Sequence, residues 1–156
     1  MKIRTVTASN RKREFSIVTW GGTEYMYPYS RADDALSTMD PIDQLFVDKE
    51  LGNEAFSYVL ASGKEGSIHI EQVLEYNEDP TYLADLLTYK LSIEAMKGLE
   101  SSSLSRRQIA KRLNTSVPQL YRLLDPANTS KSMKQLVALL HILDREVELV
   151  IKKKAA

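Results

Sequence analysis

The sequence has no cysteine and two histidines, His69 and His141. Without thiols there is no disulfide framework, no thiolate zinc site and no cysteine nucleophile, a composition compatible with a reducing compartment. Asp33 with Asp34, or Asp40 with Asp43, offers carboxylates for a divalent ion, but the rest of an octahedral set is missing and no metal is expected. The six glycines stand singly apart from the pair Gly21-Gly22. No glycine-rich loop cradles a phosphate, and no serine sits in a nucleophile elbow. Catalysis has no residue set to rest on, and neither an enzymatic activity nor a cofactor is expected. No apolar run approaches the ~20 residues that cross a bilayer, and the first fifteen residues lack the apolar core of a signal peptide. The expectation is a cytoplasmic protein with no membrane partner.

What is present suits a folded chain: 156 residues, 43% hydrophobic and 27% charged, enough for one ordinary domain or two small ones. Net charge is zero, from 21 basic and 21 acidic residues, yet the signs are unevenly divided. Residues 1–79 hold 8 Lys and Arg against 14 Asp and Glu, an excess of 6 negative charges; residues 80–156 hold 13 against 7, an excess of 6 positive. Between Ser101 and Lys134 lie Arg106, Arg107, Lys111, Arg112, Arg122, Lys131 and Lys134 against one acid, Asp125. Such a concentration is the electrostatic footprint of a nucleic-acid partner, since each neutralised phosphate releases counterions. A solvated basic helix face is the alternative.

Strand-like alternation runs through Ile3, Thr5 and Thr7, and through two β-rich runs on either side of Gly21-Gly22, which supply positive φ for a hairpin. Pro28 lacks an amide donor and belongs at a sheet edge or bulge. Residues 31–41 predict a loop with at most one helical turn. Residues 42–47 and 55–60 predict short strands, the second also compatible with a short helix. Gly63 and Gly66 close that segment, and Ile70, Val73, Leu74 and Tyr76 predict a short helix ending at Pro80. Beyond it, Leu83, Leu86, Leu87, Leu91, Ile93 and Met96 mark a long apolar helix ended by Gly98 and three serines. Helices over 105–113, 117–125 and 133–143 follow, and Val147, Leu149 and Ile151 predict a closing strand over 145–152. The expected fold class is α+β. A small N-terminal β-rich domain with a hairpin and short helix, 1–79, precedes an all-helical helix-turn-helix domain with a closing C-terminal strand, 80–156.

The stretch from Leu104 to Leu124 meets the steric needs of a helix-turn-helix unit. Ser105 is placed to cap a first helix, whose Ile109 and Leu113 lie four apart on one face. Ala110 carries only a methyl where the second helix must come close. Asn114 occupies a turn position that favours left-handed geometry, and Ser116 caps the second helix, with Pro118 in its first turn. Leu120, Leu123 and Leu124 point inward, leaving Val117, Gln119, Tyr121 and Arg122 outward.

On Leu104-Ser105, Ile109-Ala110, Leu113, Ser116, Leu120 and Arg122, the segment resembles the lambda-repressor-like, or Xre-type, family of bacterial DNA-binding domains. The likeness covers about a third of the chain, from Leu91 to Asp144. It departs at Arg106, where the family has Gln, at Asn114 for Gly, and at Thr115 for an apolar residue. The resemblance implies that 116–125 is a recognition helix, with Ser116, Val117, Pro118, Gln119, Tyr121 and Arg122 nearest the bases of double-stranded DNA. Gln119 would pair with adenine, and Arg122 with guanine or a phosphate. Arg106, Arg107, Asn128, Thr129, Lys131 and Lys134 would hold the backbone.

One recognition helix buries little surface, so a homodimer on two half-sites is expected. The candidates for its interface are the closing strand and the N-terminal domain. That domain is similar, through Leu45 to Gly52, to small β-rich domains of uncharacterised bacterial proteins, a likeness that carries no function. The first functional expectation is a transcriptional regulator. The second is an antitoxin whose acidic N-terminal half binds a basic toxin while the other half represses its own operon. His141 is expected at the core edge and His69 at an exposed strand or helix start. Trp20, Tyr25, Tyr27 and Tyr29 are expected in the sheet core and edge, or as an aromatic face for a partner.

Overall fold

A computed structural model of the chain describes residues 1–32, 36 and 39–155. Asp33 and Asp34 lie outside the described residues. The fold is α+β, and its two compact units are Met1–Leu83 and Ala84–Ala156.

The first unit holds two three-stranded antiparallel sheets. Strands β1 (Ile3–Ser9), β2 (Glu14–Thr19) and β3 (Glu24–Pro28) pair in chain order and lead into a single turn, α1 (Tyr29–Ala32). Strands β4 (Ile42–Val47), β5 (Ala55–Leu60) and β6 (Glu65–His69) do the same and lead into α2 (Ile70–Tyr76). The expectation of one hairpin with a short helix is corrected here. The strand that the sequence conceals is β6, whose Glu-Gly-Ser start has weak β-propensity. Pairing with β5 makes it a strand, and the ring of Tyr58 covers the gap that Gly66 leaves opposite it.

The two sheets are copies of one pattern. Phe15, Ser16, Val18, Gly22 and Glu24 recur 41 residues later as Phe56, Ser57, Val59, Gly63 and Glu65. Each first strand is irregular at the same place, between Ile3 and Thr5 and between Ile42 and Gln44. The loop hydrogen bonds repeat as well. Trp20 N donates to Lys2 O and Ala61 N to Pro41 O; Tyr29 N donates to Arg13 O and Ile70 N to Glu54 O. Gly22 and Gly63 take φ of 85° and 87°, left-handed geometry that closes each hairpin without a Cβ clash.

The copies share a core. Phe15 and its counterpart Phe56 touch, ring centres 5.0 Å apart, and on Phe15 the Tyr58 ring stacks while that of Tyr29 lies tilted. Ile3, Ile17, Tyr25, Tyr27, Leu60, Ile68 and Val73 complete it. Trp20 departs from the expectation: it is 67% exposed on the β2–β3 turn, with the Arg4 guanidinium 5.7 Å from its ring. Asp40 accepts from the backbone and hydroxyl of Ser62, which accounts for its carboxylate. Among the described residues no cluster of three or more His, Cys, Asp or Glu is placed to hold a metal.

In the second unit the regular elements are helices: the remainder of α3 (Pro80–Ser101), then α4 (Arg106–Arg112), α5 (Val117–Leu124) and α6 (Met133–Ile142). An all-helical domain with a closing strand is also corrected. Residues 145–155 are neither helix nor strand. A strand requires a ladder partner, which alternation along one segment cannot supply. Gly98 does not end α3 but lies within it; a Cβ there would come 3.1 Å from that of Leu143, so glycine permits a close approach. His141 is exposed on the last turn of α6. No helix among the described residues is long and apolar enough to cross a membrane.

Gly66→Ala is expected to destabilise the first unit by about 1–3 kcal/mol, because the new methyl would overlap the Tyr58 ring; urea denaturation measures this. Asp79 accepts from Tyr82 N at 2.9 Å, capping α3, and from the Tyr25 hydroxyl at 2.8 Å. These bonds hold its carboxyl below the usual range. Its contribution to stability is present above the ordinary carboxylate pKa and lost as pH falls through the lowered folded value. The stability difference between the native chain and Asp79→Asn should therefore shrink on acidification below about pH 4.

Candidate nucleic-acid interface

Helix α4 begins in a reciprocal cap: Ser105 Oγ accepts from Gln108 N at 3.2 Å, while Gln108 Oε1 accepts from Ser105 N at 2.8 Å. It ends where Asn114 turns left-handed, φ 57°, with Asn114 N donating to Lys111 O and Thr115 N to Ala110 O. That is a Schellman ending made with Asn instead of Gly. Ser116 then caps α5 by accepting from Gln119 N, with Pro118 at the second helical position, where its missing amide has no intrahelical partner to lose.

Helix α5 buries Leu120, Leu123 and Leu124 against Ile109 and Ala110 of α4 and Leu136, Leu139 and Leu140 of α6. Burying them fixes which residues turn away. Pro118, Gln119, Tyr121 and Arg122 are exposed; Val117 is half-buried and packs against the core. The Arg106 guanidinium lies 5.8 Å from the Tyr121 ring, bringing the start of α4 to the exposed side of α5. Arg106, Arg107, Ser116, Thr129 and Lys134 are exposed as well. Arg106 and Arg107 occupy the first turn of α4, where the helix dipole disfavours cations. Their placement is not explained by helix stability.

Two of the residues expected at the DNA backbone are engaged within the protein. Lys131 Nζ donates to Ser92 Oγ at 2.7 Å, to Leu123 O at 2.9 Å and to Asp125 O. An ammonium has three protons, and all three are engaged within the protein. Desolvation lowers its pKa from the ordinary lysine value. Asn128 Nδ2 donates to Arg122 O at 3.2 Å, and its Oδ1 accepts from Ser130 N. Together they satisfy carbonyls at the end of α5. Neither was legible as a cap, because the partners are fixed by tertiary folding rather than by a spacing.

Lys111 belongs to the exposed basic set although the recognition pattern does not name it. Arg107, Lys111, Asn114 and Thr115 line one shallow groove floored by Ala110. The signal was present: Lys111 follows Arg107 by four residues and shares its helix face. His69 is accounted for structurally, since its Nδ1 and amide take part in the cap of α2 with Glu71 and Gln72.

Comparison with models of known protein families returns no match, and neither does comparison with curated proteins.

Lys131→Met should lower the unfolding free energy of the second unit by about 1.5–3 kcal/mol, the scale of hydrogen bonds to a charged group. Lys134→Met, at an exposed position, should change it by less than about 0.5 kcal/mol. Urea titrations of the two variants check this.

Proposed function

We propose that the chain is a sequence-specific double-stranded DNA-binding protein of the Xre type, a bacterial transcriptional regulator that works in the cytoplasm as a homodimer. The observation that carries the reading is the exposed side of α5. Pro118, Gln119, Tyr121 and Arg122 are turned outward by the leucines behind them, with Arg106 alongside. The basic excess of residues 80–156 supplies the long-range attraction.

In this reading α5 enters the major groove. Gln119 presents an amide able to pair with the N6 and N7 of adenine, and Arg122 a fork suited to guanine or a phosphate. Arg107, Lys111 and Lys134 neutralise backbone charge, and Ser116 and Thr129 offer hydroxyls to the same phosphates. In this reading Lys131 and Asn128 support the helix from behind, holding the end of α5. No residue has a catalytic role.

A second reading, an antitoxin, has one observation in its favour: the first unit carries the acidic excess and would attract a basic partner while being repelled by DNA. Co-purification of a small basic protein with the full chain, lost at high salt, supports it.

A selection of genomic fragments by the purified protein tests the first reading and yields the operator. Binding should weaken steeply with salt. Arg107→Ala with Arg122→Ala should abolish most affinity and lower the slope of log K against log salt by about two. Gln119→Ala should cost about 1–3 kcal/mol and relax preference at one base pair. Unchanged binding in the double variant overturns the groove assignment.

A further inference from the structure

Helix α3 sets mostly small residues against its core. It buries Thr88, Ser92, Ala95 and Gly98, with Leu91 and Leu99 partly buried beside them, whereas Tyr89 keeps 47% of its surface exposed and Met96 38%. Small and polar residues meet the core, and several of the large apolar ones do not. An apolar stripe on a second side of a helix implies a second neighbour for it.

The stripe has a period. Leu86, Tyr89, Ile93 and Met96 follow one another at intervals of three, four and three, the spacing of a two-helix seam, and all four are exposed or half-buried. At 3.6 residues per turn this row stands roughly a third of a turn from the row of Thr88, Ser92 and Ala95. Core packing and seam therefore use separate faces of α3.

Flanking charge selects the occupant. With Leu86 and Ile93 at the a positions and Tyr89 and Met96 at d, Asp85 takes g and Lys90 takes e. A parallel, in-register pair sets each g beside the following e of the other helix, so Asp85 of each copy meets Lys90 of the other. An antiparallel pair sets e against e, lysine against lysine. A second copy related by a twofold axis along the helices provides the favourable arrangement twice over.

We propose that Leu86, Tyr89, Ile93 and Met96 of α3 form a parallel dimer seam with the same residues of a second copy of this chain, flanked by Asp85–Lys90 pairs between copies. The proposal rests on the DNA-binding homodimer above and names its interface. Two heptads give a row of about 15 Å. So small an interface makes a concentration-dependent dimer rather than a permanent one.

Sedimentation of the full chain without DNA, from low micromolar to submillimolar concentration, tests it. A monomer–dimer equilibrium is expected, with Ile93→Lys and Tyr89→Lys each shifting it to monomer by about tenfold or more while circular dichroism shows the helices retained. Asp85→Lys should weaken the dimer severalfold, and adding Lys90→Asp should restore it. A chain that stays monomeric throughout, or a dimer indifferent to both seam substitutions, overturns the proposal; failure of the charge reversal to restore overturns the parallel register. Because DNA is absent from these runs, a failed DNA titration overturns the reading above and leaves the seam to be judged by sedimentation alone.

Discussion

An eight-residue helix is too short to persist in water, so α5 exists only because its ends and one side are provided for elsewhere. Ser116 satisfies its first turn, the ammonium of Lys131 and the amide of Asn128 satisfy carbonyls of its last, and three leucines are buried beneath it. The attitude of its exposed side is thus set by residues on α3, α4 and α6 and in the loop before α6. Ser92 illustrates the dependence. It is fully buried on α3, yet its hydroxyl accepts from the lysine that closes the end of α5.

The first unit is organised around a different constraint, duplication. Two βββα segments, alike in strand order, irregularity and hairpin geometry, bring Phe15 against Phe56. Contact between counterpart residues is what an internal twofold relation produces. A unit that already pairs with its own copy has met the need for a partner sheet within one chain. Its hydroxyl-bearing aromatics are tied down accordingly: Tyr25 to Asp79, Tyr29 to Asn10, and Tyr27 to the carbonyl of Arg31. Burial raises the pKa of all three, keeping them as donors.

Several local endings share one chemistry. Glu78, Asn114 and Asp144 each take φ between 50° and 57° directly after a helix, with two backbone bonds closing the turn behind them. Glycine would adopt that geometry at lower cost, yet none of the three positions carries it. The strain is small beside the burial of Leu74, Ala110 and Leu140 at those same turns.

The local events follow from the sequence alone: caps at Ser105 and Ser116, the Gly21-Gly22 hairpin, the inward leucines of α5 and, Val117 apart, the residues it exposes. Those follow from spacing, capping chemistry and periodicity over a few residues. The sequence also contained the 41-residue recurrence, visible only when Phe15 to Glu24 is laid on Phe56 to Glu65. Tertiary structure decided the remainder. Pairing with β5 made a strand of a glycine- and serine-bearing segment, the lack of any ladder partner left 145–155 out of regular structure, and close packing turned Gly98 from a helix terminator into a contact with Leu143. It also drew Lys131 inward to the hydroxyl of Ser92, distant in the chain, and set Thr88, Ser92 and Ala95 of α3 against the core while leaving Leu87 exposed. In each case the outcome depends on a partner that only the folded chain brings into range, and no pattern along a single segment specifies one.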